Sequence, residues 1–275
     1  MDGRIGPGAG RDGWPAPGGD AVGGGERCGL GAAGEGRALR PGAILRPMER
    51  ESRRYRGPGD GRIRRVLCIT AHPDDAEFFC GGTLLLLTRA GAEAELVVVT
   101  SGDKGAREPG LDGPTLAALR EGEQLAAARL LGLSRVEFLR HPDAGLIESL
   151  ELRGELVRAI RRSRPDLLLT FDPVPQRRQH PDHRVVGRMA LDAAWPCARD
   201  RLTHPEAGPP HETAEAWLFG APVEQADLAV DVSGVLEEKI RARLEHRSQT
   251  PDPERIRRRW GEVAGTERFV QVDLR

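Results

Sequence analysis

Apolar residues are distributed unevenly along this chain. Residues 1–60 show no apolar period, whereas from Arg64 onward short apolar runs alternate with longer segments of helical spacing. Residues 65–70, 94–100, 135–139 and 166–171 predict strands, largely continuous in apolar side chains, as when both faces of a sheet are covered. Between them, residues 77–90, 114–131, 150–163 and 183–194 predict helices, the first three stopped by Gly91, Gly132 and Pro165. Residues 214–220 and 228–232 predict two further strands, and Ser233 can cap a helix running to about Arg247.

Strands alternating with helices imply right-handed crossovers and a mainly parallel sheet. The expected class is α/β, a Rossmann-like, mainly parallel sheet with helices on both faces. Ligands of such sheets bind beyond the C-terminal strand ends, so polar motifs at those ends are the ones to weigh.

Composition divides the chain in two. Residues 1–60 hold 17 of the 35 glycines, with prolines and arginines. Such a segment buries too little apolar surface to offset its chain entropy. The expected organisation is a disordered tail over 1–60 and one domain over 61–275, with Met48 an alternative start. A formal net charge of −1 gives no reason to expect a nucleic-acid partner. No apolar run approaches the ~18–20 residues of a membrane span. There is no leader pattern, and Arg53-Arg54 is followed by polar residues, so the expected location is the cytoplasm. Cys28, Cys68, Cys80 and Cys197 lack C-x-x-C spacing and are expected to be small buried side chains.

The sequence Ala71-His72-Pro73-Asp74-Asp75 directly follows the first strand, and His180-Pro181-Asp182-His183 follows the fourth and opens a helix. One such copy is a capping turn. Two copies at two strand ends supply the two histidines and one carboxylate of a catalytic zinc site, with a position left for water. His141-Pro142-Asp143 after the third strand is either a turn or a substrate contact. His204, His211 and His246 have no ligand-like spacing and are expected on the surface or in packing. A dinucleotide site needs G-x-G-x-x-G after strand one. Carboxylates stand there instead, and Gly81-Gly82 comes too late, more suited to close helix packing.

From Val66 to Val272 the chain resembles the PIG-L/LmbE family of zinc deacetylases, which includes the mycothiol- and bacillithiol-pathway enzymes. The resemblance rests on A-H-P-D-D with Gly81-Gly82-Thr83, T-S-G-D-K-G at 100–105, Arg120 and Glu123 with Leu131-Gly132, H-P-D-H, and Lys239 with H-x-S-Q from His246. It implies His72, Asp75 and His183 as metal ligands, Asp74 as general base and His180 as the group assisting the oxyanion. Arg120 and Asp143 fall where family members contact substrate. Ala76 stands where many members carry Glu, and the chain runs only a few residues past Phe269.

The implied activity is metal-dependent hydrolysis of the N-acetyl group of a small amino-sugar conjugate, with Zn²⁺ as cofactor and Fe²⁺ or Co²⁺ also compatible with a His₂Asp set. Two alternatives stay open: a metal esterase or amidase acting on a non-sugar substrate, and a binding module without turnover. Loops 103–114 and 173–179 are expected to set substrate specificity.

Overall fold

A computed structural model describes residues 61–275, except residue 108 and residues 175–178. The expected tail over 1–60, Cys28 and Met48 lie outside the described residues.

Five parallel strands form the body of the sheet: β1 (Arg65–Thr70), β2 (Glu93–Thr100), β3 (Arg135–His141), β4 (Leu167–Phe171) and β5 (Glu215–Phe219). Two more, β6 (Leu228–Asp231) and β7 (Thr266–Asp273), complete the order β3-β2-β1-β4-β5-β7-β6. β7 pairs antiparallel with both β5 and β6. The pattern of apolar residues does not predict β7, because the charged pair Glu267-Arg268 stands near its start and Glu267 is among its buried positions.

Leu67, Cys68 and Ile69 of β1 and Leu167, Leu168 and Leu169 of β4 are fully enclosed, which explains their unbroken apolar character. On one side of the sheet α4 (Leu150–Ser163) packs on α5 (Pro181–Asp192), and both pack on β1. The other layer holds α1 (Asp75–Phe79), α2 (Gly81–Arg89), α3 (Gly113–Leu131) and α6 (Leu236–Leu244). α7 (Pro253–Val263), also absent from the sequence expectation, packs on α6. The fold is thus α/β and Rossmann-like, mainly parallel, with an antiparallel edge. Among the described residues no helix is long and apolar enough to cross a membrane.

The helix expected over 77–90 is two helices, broken at Cys80 (φ −143°, ψ 16°). The restart of α2 leaves amides unpaired, and the buried Glu267 carboxylate accepts from Gly82 N at 2.8 Å and Thr83 N at 2.7 Å. A Cβ on Gly82 would lie 2.5 Å from Val232, so only glycine lets α2 approach this closely, and the close-packing expectation for the glycine pair holds there. The other Glu267 contact is Lys239 Nζ at 2.8 Å, with both side chains buried.

The segment after α5 has little regular structure and is tied down by Arg161 of α4. Its buried guanidinium donates to the carbonyls of Cys197, Ala198, Asp200, Thr203, His204 and Gly208 at 2.6–3.1 Å. Backbone oxygens that no ladder pairs are satisfied by one side chain.

Candidate metal centre

After β1 the chain turns through residues 71–75. The Ala71 carbonyl accepts the Thr100 amide and hydroxyl, both at 2.9 Å, which fastens the turn to the end of β2. Asp75 opens α1, and its Oδ2 accepts the His72 amide at 2.7 Å. Its carboxylate therefore folds back beneath the turn. At the second motif His180 is the N-cap of α5, Pro181 its first residue, and His183 lies in the first turn. Proline suits that first position, where its missing N–H removes no helical bond.

The two turns bring three donor atoms together. His72 Nδ1 lies 3.3 Å from His183 Nε2 and 3.5 Å from Asp75 Oδ2, and His183 Nε2 lies 3.2 Å from Asp75 Oδ1. Ligands about 2.0–2.2 Å from a tetrahedral ion stand about 3.3–3.6 Å from one another, so the donor set fits a small divalent cation. The His183 ring stacks on Phe171, centroids 3.9 Å apart and planes 14° apart. α5 lies close enough to β4 for this because Gly187 sits directly against the Phe171 carbonyl.

A second grouping, His72 with Asp143 and His180, shares the same imidazole through its other nitrogen. His72 Nε2 lies 2.9 Å from Asp143 Oδ1 and 3.4 Å from Asp182 Oδ2. A proton held there by carboxylates fixes the tautomer and leaves the Nδ1 lone pair facing Asp75 and His183. Asp143 and Asp182 are thus placed to orient His72. Asp182 also accepts the amides of Ala144 at 2.8 Å and Leu146 at 3.3 Å, which binds the third H-P-D turn to α5.

The cluster is rich in negative charge. Burial alone would lower the His72 pKa, but hydrogen bonds to Asp143, Asp182 and Asp75 outweigh it and push it up to about 11. Burial alone would raise Asp75, but the charge and hydrogen bond of His183, with those of His72, hold it far below the usual carboxylate range. Asp143 is held down to about 2, burial opposing and His72 prevailing. Metal ligands bind in their deprotonated forms, so an ion held by these donors would displace the His72 proton and find Asp75 already ionised.

Asp74 is not one of the three donors. Its φ of 94° puts a non-glycine residue in the left-handed region, at a cost on the order of 1–3 kcal/mol. Surrounding bonds enforce it: Asp74 N donates to Gln124 Oε1 at 3.0 Å, and Arg120 Nη2 donates to Pro73 O at 2.7 Å. The Asp74 carboxylate meets Arg243 at 3.3 Å and Arg120 at 3.5 Å. Burial raises its pKa; Arg243 pulls it down and Asp75 adds to the rise. His180 Nδ1 accepts the Asp182 amide at 3.2 Å, which places the proton on Nε2 as a donor. Burial and the neighbouring His72 charge lower its pKa.

All seven residues singled out in the sequence therefore lie around one turn pair. Arg120 is enclosed and spends its guanidinium on Pro73 O, Gly102 O and Asp74. Sequence reasoning missed Arg243 and Asp182. Arg243 had a signal, one helical turn beyond Lys239 on the same face of α6. Asp182 had one in its position inside H-P-D-H. Of the three histidines expected on the surface or in packing, His246 is fully buried beside Glu77 at 3.2 Å, His211 contacts Pro165 O at 2.9 Å, and His204 meets Glu206 at 3.3 Å. Packing and surface positions account for all three.

Comparison with known proteins adds a family. The model described as PIG-L, GlcNAc-PI de-N-acetylase, matches residues 67–194. Diacetylchitobiose deacetylase of Thermococcus kodakarensis is 32% identical over 193 residues, 69% of this chain and 72% of that protein. The 1D-myo-inositol 2-acetamido-2-deoxy-alpha-D-glucopyranoside deacetylase of Streptomyces avermitilis is 33% identical, over 58% of this chain and 62% of its own length. Among solved structures, N,N'-diacetylchitobiose deacetylase from Pyrococcus horikoshii superposes with a TM-score of 0.68 at 30% identity, covering 77% of this chain and 84% of that one.

Proposed function

The chain belongs to the PIG-L family of de-N-acetylases, and from that premise we propose that it hydrolyses the N-acetyl group of a small amino-sugar conjugate, using one divalent metal ion held by His72, Asp75 and His183. The observation that carries the proposal is the convergence of these donors beside a carboxylate, Asp74, that is not one of them. A binder has no use for that carboxylate; a hydrolase has. Zn²⁺ is the ion proposed, because the His₂Asp set and its spacing suit a tetrahedral site with one open position.

When bound, such an ion supplies a water acidified towards neutral pH and polarises the acyl carbonyl. The protein's own groups do the rest. Asp74, whose pKa burial raises, takes the proton of the attacking water and passes it to the departing amine. It neighbours Asp75 in a turn that its left-handed backbone helps to form. Arg243 and Arg120 fix the orientation of its two oxygens. His180 Nε2–H, its tautomer set by the Asp182 amide, donates to the oxyanion of the tetrahedral intermediate. Asp143 and Asp182 keep the His72 ring from rotating.

The test is metal content beside acetate release from N-acetylglucosamine glycosides. Purified protein carries about one divalent ion per chain under this assignment, and chelation abolishes turnover. His183→Ala loses most of the metal. Unchanged metal content in that variant, or turnover that survives exhaustive chelation, rejects the assignment. Simple acyl esters run in parallel: faster cleavage of these than of every N-acetyl sugar would replace the deacetylase with an esterase.

A further inference from the structure

A cavity of about 640 Å³ opens between the C-terminal end of β5, α1, α6 and α7. Two of its lining residues belong also to the surroundings of the metal centre. Arg243 reaches the Asp74 carboxylate at 3.3 Å, and the Phe79 ring lies 6.0 Å from that of His183. The cavity therefore abuts the reacting groups and lies where the rest of a substrate would extend. Its volume is that of a small-molecule site.

Its charge is one-sided. Arg107, Arg255, Arg259 and Arg268 line it, are exposed, and have no ion-pair partner among the described residues. The two acids in its wall are already committed. Glu267 is held by Lys239 and the amides of Gly82 and Thr83, and Asp252 caps α7 by accepting the Arg255 amide at 2.9 Å. Unmatched guanidinium groups beside a cavity favour carboxylate or phosphate, which they can bind through two parallel hydrogen bonds. An apolar edge completes it: Phe78 is 53% exposed, its ring 5.6 Å from that of Trp260. Arg107 comes from loop 103–114, one of the two loops expected to set specificity, and the other three arginines lie beyond the family-matched residues 67–194.

We propose that this cavity is a subsite for the aglycone, and that the aglycone carries an anionic group, carboxylate or phosphate, bound by Arg107, Arg255, Arg259 and Arg268. The inference rests on the deacetylase reading for its placement but makes a separate claim. The family fixes the acetamido sugar; the arginines select what is attached to it.

The experiment uses the metal-loaded full chain and three probes: the methyl glycoside of N-acetylglucosamine, its glycolate glycoside, and N-acetylglucosamine 1-phosphate. Binding is measured by calorimetry and acetate release by kinetics. At least one anionic probe binds about tenfold or more tighter than the neutral one, the effect of about one charge-assisted hydrogen bond. The carboxylate and phosphate arms show which anion is preferred. The advantage shrinks in high salt and falls towards one in Arg255→Gln/Arg259→Gln, while Arg158→Gln, an exposed change on α4, keeps it. Equal binding of all three probes overturns the subsite, as does an advantage that survives both high salt and the double variant. Absence of acetate release from every probe, with the binding advantage intact, sinks the deacetylase reading and leaves the subsite standing.

Discussion

Two regions of this molecule bury charge in opposite ways. Around His72, the carboxylates of Asp75, Asp143 and Asp182 crowd one imidazole, and Asp75 is shared between His72 and His183. Around Glu267, the buried carboxylates are met by other groups of the chain. Lys239 sits on Glu267, Gln124 and His246 on Glu77, and Ser248 on both oxygens of Glu123. The first arrangement sets three carboxylates on two imidazoles, an excess of negative charge that suits a cation; the second joins the C-terminal third of the chain to α1, α2 and α3. A buried polar cluster can thus be sorted into working or structural by whether its charges close among themselves.

The sharpest way to break this contrast is at Asp74, which belongs to the first region but is not one of the donors. Asp74→Asn keeps the shape and removes the basicity. Turnover falls by roughly 10²–10⁴ while metal stoichiometry stays near one. Asp75→Asn, by contrast, lowers metal content and rate together. If Asp74→Asn released the metal and Asp75→Asn kept it, the two roles would have to be exchanged.

The next largest effect lies in the second region. Glu267→Gln leaves Lys239 buried without its partner and weakens the start of α2. Loss of one member of a buried pair costs about 3–5 kcal/mol, to be read as a shift in denaturant midpoint. A Glu267→Gln protein of unchanged stability would mean that the closed network is not what joins α6 and β7 to the rest. The smallest effect is at Ser248→Ala, which removes one hydroxyl bond to the Glu123 carboxylate at 2.7 Å and leaves the backbone bond. It costs about 1.5–3 kcal/mol in stability. A large change in rate without loss of stability would move Ser248 from the structural region into the working one.

These regions also differed in how much of them the sequence revealed. The parallel strands and their H-P-D ends are legible because local rules govern them. β1 and β4 are apolar throughout, since both faces are covered, and a ligand site follows at the ends of such strands. The break at Cys80 is not local: it depends on Glu267, 185 residues from Gly82 in sequence, supplying the carboxylate that starts α2. β7 hides its period behind Glu267, a charged residue on a buried face that only the tertiary partners explain. α7 carries Ile256 and Trp260 at helical spacing among four arginines, too few apolar positions for a periodicity argument, although Asp252-Pro253 is a usable start signal. The placement of Asp143 against His72 likewise comes from the fold, which swings the end of β3 towards that of β1.

Arg161 carries a consequence for how this chain can vary. Every bond it makes to the segment between Cys197 and Gly208 ends on a main-chain oxygen, so none depends on which side chains that segment carries. These bonds therefore leave side-chain identity there to other constraints, such as the burial of Ala198 and Ala207. The number of residues is fixed, because adding or removing one would slide the carbonyls out of reach of a guanidinium whose fork is rigid. Homologues that keep the arginine should differ here by replacement and not by insertion, and a grafted loop should succeed when its length matches and it keeps small residues at Ala198 and Ala207 and glycine at Gly208.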